Sequence, residues 1–231
     1  MVETAETGKI NFITNMIYQQ ANGHDGNIHE QIRIGNQHTG LSPKKLFADS
    51  NYLSAELLKR YRDRGQELMG YLQGYGGREK AFQNEAFDID LKTGRTVCPA
   101  GHRNKSSTFN KNGRLYIYFA KTTCQSCNYF DRCVGTHNTA PNRTVAVSPF
   151  YEYLRERRLA QMTDKFRDEM RVRAQVEGTI SEATRKHGLR RARYGGEDGH
   201  QFQFYLTGAA INVKRLVKAI NEEKEKTKTR S

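Results

Sequence analysis

The four cysteines constrain the fold of this chain more than any other feature, because all of them fall between residues 98 and 133 of the 231. Cys98 opens a Cys-Pro-Ala-Gly-His run, and the others follow in the pattern Cys124-x2-Cys127-x5-Cys133. Thiols at such spacings have the type and number of ligands that a tetrahedral structural zinc requires. The alternative is four unconnected reduced thiols. We expect zinc, held by the four cysteines.

The sequence around the cysteines differs from the rest of the chain in composition and in apolar periodicity. Residues 74–147 are rich in Gly, Asn, Lys and Thr and show little apolar periodicity, which predicts an insertion without an evident core. Between Cys98 and Cys124 we expect a hairpin, with FNKNG as its turn and GRLYIYFAKT leading away from it. His102 and His137 are reserve ligands. Bound zinc would supply the folding free energy of the insertion, ~10–16 kcal/mol in zinc-finger peptides.

Residues 1–73 alternate between strand and helix patterns, which predicts the α/β class. The first predicted elements are a strand at Phe12–Tyr18, a Gly/Asn turn with a short helix, and a short buried strand (LFAD) that ends at Asp49. A helix follows, capped by Asn51 or Ser54 and ended by Gly65, and then a strand at Glu67–Leu72.

Residues 148–231 are predicted to be helical. Ser148 is the expected cap of the first helix, with Pro149 in its first turn, and Gly188 is the expected end of the next helical stretch. The last helix is expected to bury one apolar stripe. That stripe comprises Phe202, Leu206, Ala209, Val213, Leu216 and Ile220.

The charge balance indicates a polyanionic partner. Lys and Arg number 38 against 25 Asp and Glu, a formal net charge of +13, and nucleic acid is the first candidate. The plainer interpretation is a basic soluble protein. The hydrophobic fraction of 36% is low for a self-sufficient core, so either the surface is highly charged or part of the core lies outside this chain.

Targeting signals are not evident. The N-terminus lacks a basic region followed by an apolar one, and no apolar run approaches the ~20 residues of a membrane span. We therefore expect the chain in the cytoplasm of a bacterial-type cell, where thiols stay reduced.

Four motifs occur in a fixed order: FADSNYLS at 47–54, Arg-x3-Glu at 173–177, GLRR at 188–191 and Ala-x-Asn-x-Lys at 210–214. Together they resemble the insertion-sequence transposases of the DDE class, and the resemblance covers nearly the whole chain. It implies an incomplete ribonuclease H-like α/β core at residues 1–73, the cysteine-rich insertion at 74–147, and helices at 148–231 that return to the core. Relatives often carry a similar CPAG…C-x2-C insertion.

The resemblance also implies the acids of the reaction. Asp49 matches the second catalytic acid, Glu177 matches the third, and Arg173 is the Arg of its motif. Met170 and Thr184 depart from the Tyr and Lys of some relatives. In the family, the first acid lies on the strand that precedes the one predicted at residues 9–20, so we expect it to be missing from this chain. Asp25 matches an Asp of the family that we interpret as structural. Without the resemblance, Asp49 is an Asp at the start of a helix and Glu177 an exposed partner of Arg173.

The chemistry of DNA strand cleavage and joining explains why such an enzyme needs acidic residues in its active site. Both are in-line displacements at phosphorus, in which Mg²⁺ ions activate the incoming oxygen and stabilise the leaving one. Asp49 and Glu177 are the expected Mg²⁺ ligands. Because one acid would be missing, we expect this chain alone to have little strand-transfer activity.

Basic residues around the GLRR loop suit contacts to DNA phosphates. These residues are Arg185, Lys186, Arg190, Arg191 and Arg193. Two further basic clusters occur at 155–158 and 214–218. Besides DNA, the expected partners are an upstream transposase fragment or a second copy of the chain. Two alternatives stay open: a non-catalytic, zinc-stapled DNA-binding remnant, and an interaction protein whose last helix docks a partner.

Overall fold

A computed structural model describes residues 1–6, 8–19, 28–74, 81–134 and 140–230. It shows a mixed α/β chain with short strands and small sheets, in two compact units. The first unit comprises Met1–Phe47 and Asp164–Ser231, and the second comprises Ala48–Thr163. The predicted insertion at 74–147 lies wholly within the second unit.

The strands are Val2–Glu3 (β1), Ile13–Asn15 (β2), Lys45–Phe47 (β3), Glu67–Met69 (β4), Asp88–Ile89 (β5), Thr96–Val97 (β6), Ser106–Phe109 (β7), Leu115–Tyr118 (β8) and Thr144–Val147 (β9). The helices are Ile28–His38 (α1), Ala55–Asp63 (α2), Lys121–Gln125 (α3), Phe130–Cys133 (α4), Tyr151–Ala160 (α5), Asp164–Met170 (α6), Arg173–Arg185 (α7) and Gly196–Arg230 (α8). Short 3-10 turns occupy Ser50–Tyr52 and Asn84–Ala86.

The first unit is built around the packing of α8 against β2. Strands β1 and β2 pair antiparallel, and a buried cluster of Ile13, Met16, Ala183 and Ile211 joins β2 to α7 and α8. Gly208 permits the close approach of α8, because a Cβ there would lie 3.0 Å from Met16 Cγ. A larger residue at this position would push the helix away from the strand.

Side-chain amides of α8 complete the hydrogen bonding of the segment around β2. Asn212 accepts from the Ile13 N–H at 2.8 Å and donates to the Ile13 carbonyl at 2.8 Å. Gln201 accepts from the Tyr18 N–H at 2.8 Å and donates to the Met16 carbonyl at 2.5 Å. The amides therefore satisfy backbone groups that a neighbouring strand would otherwise pair.

The second unit contains an antiparallel three-stranded sheet in the order β7-β8-β9. Phe109 faces Leu115 across the β7–β8 hairpin, and Leu115 faces Val147 on β9. The predicted hairpin between Cys98 and Cys124 is present. Alternate residues of β8 are buried, as a strand with one face on a core requires.

The prediction that the cysteine-rich stretch has no core of its own is wrong. One face of the three-stranded sheet forms a buried cluster with its neighbours, and that cluster is the main core of the second unit. Its members are Phe87, Ile89, Leu115, Ile117, Phe119, Val145, Val147 and Tyr151. Periodicity missed it because most of these apolar residues come from short, separate strands and loops.

Element bounds differ from those predicted at several places. Strand β2 has three residues rather than seven, and β3 is half-buried rather than buried. Helix α5 begins at Tyr151, after Ser148, and Phe150 rather than Ser148 is its cap. The cap of α2 is Ser54, one of the two predicted residues, and Gly65 follows its end with a φ of 68°.

The predicted buried stripe of α8 is also wrong, because five of its six members are exposed large hydrophobics. Phe202 is 52% exposed and Val213 is 60% exposed. The buried face instead carries Ile211 together with polar residues, among them Gln203 and Thr207. Packing against β2 selects the side that carries the amides and Gly208, which an apolar-periodicity argument cannot recognise. None of the described helices combines the length and apolar character that a membrane span requires.

Candidate functional site

Asp49 lies at the start of the second unit, two residues after β3. Its side chain is exposed and caps the 3-10 turn: Oδ1 accepts from the Ser50 N–H at 2.6 Å and from the Ser50 hydroxyl at 3.3 Å. The preceding Ala48 N–H donates to the Met69 carbonyl at 2.8 Å. The backbone just before Asp49 is therefore held by a hydrogen bond to Met69, whereas the Asp49 side chain is exposed to solvent.

A tight contact behind Asp49 fixes the backbone there. A Cβ at Gly70 would lie 2.7 Å from the Ala48 carbonyl oxygen and 2.6 Å from Leu53 Cδ1. Real Cβ atoms do not approach backbone so closely, so glycine is needed where the chain leaving β4 runs past Ala48. The position of Asp49 therefore depends on a residue twenty-one positions away in sequence.

A cleft of about 300 Å³ lies within the second unit, against the 3-10 turn that Asp49 caps. Its lining is mostly polar and includes one guanidinium. The lining residues are Ser50, Asn51, Leu53, Leu72, Gln73, Leu154 and Arg158. Arg158 is held in place, because its Nε lies 3.2 Å from Glu85 Oε1 and its Nη2 donates to the Gln73 carbonyl at 3.0 Å. Such a lining suits a polar ligand better than an apolar one.

Glu177 lies on α7 in the first unit. Its side chain is 65% exposed and pairs with Arg173, whose Nη2 lies 3.3 Å from Glu177 Oε1. The buried face of α7 is formed by Thr179 and Ala183. Ile180 is 42% exposed. Asp49 and Glu177 belong to different units.

Neither acid forms part of an assembled metal site. Across the described ranges of the chain, no three His, Cys, Asp or Glu side chains are arranged to hold a metal ion. The donor chemistry nevertheless suits Mg²⁺, which takes one or two carboxylates together with water and substrate oxygens. An exposed carboxylate such as that of Asp49 or Glu177 leaves room for those additional ligands.

The five basic residues around the GLRR loop are all exposed. We call Arg185, Lys186, Arg190, Arg191 and Arg193 the basic segment. In the part of the chain that the structure describes, none of them takes part in an ion pair. The buried amide of Gln203 fixes the loop: it accepts from the Arg193 N–H at 2.9 Å and donates to the Arg191 carbonyl at 2.8 Å.

Some arginines of the two further basic clusters are used inside the protein. Arg157 is buried, and its Nη2 donates to the Leu68 carbonyl at 2.7 Å. Arg215 donates to Glu3 Oε1 and to the Asn11 carbonyl, both at 2.7 Å, and to the Thr179 hydroxyl at 2.6 Å. The sequence gives no sign of these roles, because spacing does not reveal a distant partner.

All four cysteines lie in the second unit, and all are reduced and half-buried. They line one small cavity of about 30 Å³, together with His102. Burial raises the pKa of the Cys133 thiol, Arg143 opposes that rise, and the other three sulfurs add to it. The sulfurs of Cys98, Cys124 and Cys127 are therefore within electrostatic reach of Cys133. His137, the other reserve ligand, lies outside the described residues, as does Asp25.

A protein-family model described as a transposase DDE domain matches residues 97–217, more than half of the chain. The matched region begins just before Cys98 and includes Arg173, Glu177 and the whole basic segment. No curated protein and no solved structure matches.

Proposed function

The chain belongs to the transposase DDE domain family, and from this premise we propose that it is part of a DNA transposase with a ribonuclease H-like core. The observation that carries the proposal is the family match, which spans more than half of the chain. DNA is the substrate that such a domain implies. The exposed basic segment inside the matched region supports this, because contacts to phosphates require cations that are not already neutralised.

We propose Asp49 and Glu177 as the acids that this chain contributes to the reaction. Both carboxylates are exposed, and each is held by a local partner: Ser50 for Asp49 and Arg173 for Glu177. When bound, Mg²⁺ would activate the attacking oxygen and stabilise the leaving one. Arg173 acts as a positioning residue, because its guanidinium restrains the direction in which the Glu177 carboxylate points.

The basic segment is proposed to hold DNA through the phosphate backbone. Five exposed cations follow Glu177 closely in sequence, and Gln203 fixes the backbone of the loop that carries three of them. A fixed loop loses less conformational entropy on binding than a free one. The contacts go to phosphate, so they position DNA without reading its sequence.

DNA binding is tested by fluorescence anisotropy of a labelled duplex at several salt concentrations. A variant with all five residues of the basic segment changed to Gln is expected to bind more weakly. Its log–log salt dependence should be flatter by ~0.9 for each phosphate that the variant no longer neutralises.

The matched control removes the same net charge from exposed lysines elsewhere. It changes Lys92, Lys105, Lys111, Lys121 and Lys165 to Gln. If both variants show the same fall in affinity and in slope, binding reflects net charge alone, and the role of the basic segment is rejected.

The acids are tested by binding of Mn²⁺, which is paramagnetic and shares the oxygen ligands of Mg²⁺. Electron paramagnetic resonance of the purified chain is expected to show Mn²⁺ binding that is weaker by on the order of tenfold or more in Asp49→Asn and, measured separately, in Glu177→Gln. Asp63→Asn and Glu223→Gln, both exposed carboxylates, are the controls. Unchanged Mn²⁺ affinity in both acid variants would remove these residues from the metal chemistry.

A further inference from the structure

The cavity beside the sheet of the second unit has a specific chemical lining. Three separate segments deliver cysteines to it: the loop after β6 delivers Cys98, α3 and the turn after it deliver Cys124 and Cys127, and α4 delivers Cys133. We propose that this cavity is a structural zinc site with these four thiolates as ligands. The proposal concerns stability and is independent of the reaction on DNA.

Local backbone geometry presents the first of these cysteines. After Cys98 the chain makes a tight turn, in which the Gly101 N–H donates to the Cys98 carbonyl at 2.8 Å and the Cys98 N–H donates to the His102 carbonyl at 2.9 Å. Gly101 has a φ of 82°, which a residue with a side chain rarely adopts. The turn fixes the backbone from which the Cys98 sulfur reaches the cavity.

The Cys-x2-Cys segment forms a second such turn. The Cys127 N–H donates to the Cys124 carbonyl at 3.1 Å, and the Tyr129 N–H donates to Cys127 Sγ at 3.5 Å. A backbone N–H directed at a sulfur stabilises the thiolate rather than the thiol, which is what a metal ligand requires. The same bond is weaker to a neutral thiol, whose sulfur is a poor acceptor.

The helices that carry cysteines are too short to be stable alone. Helix α3 has five residues and α4 has four, and neither has a side-chain hydrogen bond at its N-cap. Isolated helices of this length are unstable in water. Cys98, Cys124 and Cys133 pack against the main core, so a shared ion would tie both helices and the Cys98 turn to that core.

The size of the cavity selects an ion rather than a larger ligand. Its volume of about 30 Å³ is roughly a tenth of the smallest pockets that hold small molecules. Four thiolates favour zinc among the common divalent cations. Arg143 lies beside the site, where its Nη1 donates to the Cys133 carbonyl at 3.0 Å, and its charge would partly balance that of a tetrathiolate centre.

As they stand, the sulfurs do not form a ready metal site among the described residues. Rotation about a single bond, χ1, moves each cysteine sulfur, so the four sulfurs would turn toward one another on binding the ion. Metal binding and the final packing of such sites are commonly coupled. We therefore expect the rotamers of the cysteines to differ between the metal-free and zinc-bound chain.

The first experiment measures zinc in the full chain purified without chelators. About one zinc per chain is expected, together with a tetrahedral thiolate spectrum after exchange for Co²⁺. Single Cys→Ser variants are expected to lose most of the metal, whereas Ser126→Ala, between two of the ligands, should retain it. Less than about a tenth of a zinc per chain, or retention in Cys98→Ser with loss in His102→Ala, would overturn the proposed ligand set.

A second measurement does not depend on any variant folding. In the native wild-type chain the four thiols should react slowly with a disulfide reagent, and a strong chelator should expose all four and lower the Tm. Ser126→Ala should behave like wild type in both respects. If chelation changes neither thiol reactivity nor Tm, the cysteines are ordinary core residues and the zinc site does not exist.

Discussion

Arg215 provides a sharp test of which basic residues belong to the fold and which belong to DNA binding. Its guanidinium joins β1, the loop before β2 and α7 to α8, through Glu3, the Asn11 carbonyl and Thr179. The Glu3 side chain is only 2% exposed, and that of Arg215 is 22% exposed. The change Arg215→Met keeps the aliphatic stem but leaves the Glu3 carboxylate buried without its cation.

The expected loss of stability follows from that burial. Breaking a buried ion pair by removing one partner costs ~3–5 kcal/mol, because the other charge stays desolvated. The partial exposure of Arg215 places the expected value near the lower end, about 3 kcal/mol. This is a large share of the ~5–15 kcal/mol that stabilises an ordinary domain. Urea unfolding followed by circular dichroism measures it as a lower midpoint.

Lys214→Met is the matched control, because the neighbouring Lys214 forms its ion pair with Glu182 at the surface. The Lys214 side chain is 55% exposed, so the loss should be ~0–1 kcal/mol. Adding Glu3→Gln to Arg215→Met should restore part of the stability, since no buried charge then lacks a partner. A loss below about 0.5 kcal/mol in Arg215→Met, with a drop in DNA affinity instead, would refute the structural role.

Three further changes probe the fold around the candidate site. Gln203→Leu removes both hydrogen bonds that fix the loop backbone at Arg191 and Arg193. We expect DNA affinity to fall at unchanged net charge, together with a loss of about 1–3 kcal/mol in the free energy of unfolding. Unchanged anisotropy titrations would contradict this expectation. Asn212→Leu leaves the Ile13 N–H and carbonyl without these partners and should lower the free energy of unfolding by about 2–4 kcal/mol, whereas an unchanged urea midpoint would show that water replaces the amide. Gly70→Ala forces a Cβ against Ala48 and should lower the free energy of unfolding by about 1–3 kcal/mol. The control is Gly74→Ala, whose Cβ would meet nothing within 4 Å and which should leave the Tm unchanged. Equal Tm values for the two variants would show that the contact at Gly70 is not tight.

Local chemistry was the part of the fold that the sequence predicted best. The FNKNG turn and the alternating residues of β8 give a hairpin because the turn and the strand period are both encoded within a few residues. The same is true of Ser54, which accepts from the Leu57 N–H at 3.2 Å, and of Gly65 after α2. These features depend on neighbours in sequence, which periodicity and turn rules describe directly.

Packing that depends on distant residues was predicted poorly. The apolar stripe of α8 has the spacing of a buried face, yet the face that packs carries Gln201, Asn212 and Gly208 beside Ile211. The segment around β2 offers little space and has backbone groups that need partners. The main core of the second unit was missed for a related reason, since its members come from scattered strands.

The proposed acids are a different case. Their roles came from the resemblance, and the structure gives neither Asp49 nor Glu177 an environment that would single it out. Both are exposed, and each has the ordinary partner expected of a surface carboxylate. By contrast, the spacing of the cysteines alone predicted that they share one neighbourhood, and the structure places all four around one cavity.

The length of α8 has a consequence for how the chain opens. At 1.5 Å per residue its 35 residues extend roughly 52 Å, but its buried residues lie in the first half, and positions 221–229 are all exposed. Protection of amide hydrogens should therefore fall steadily along a single continuous helix. Amides near Ile211 should exchange with deuterium only when the first unit unfolds, whereas those beyond Ile220 should exchange within the shortest labelling times.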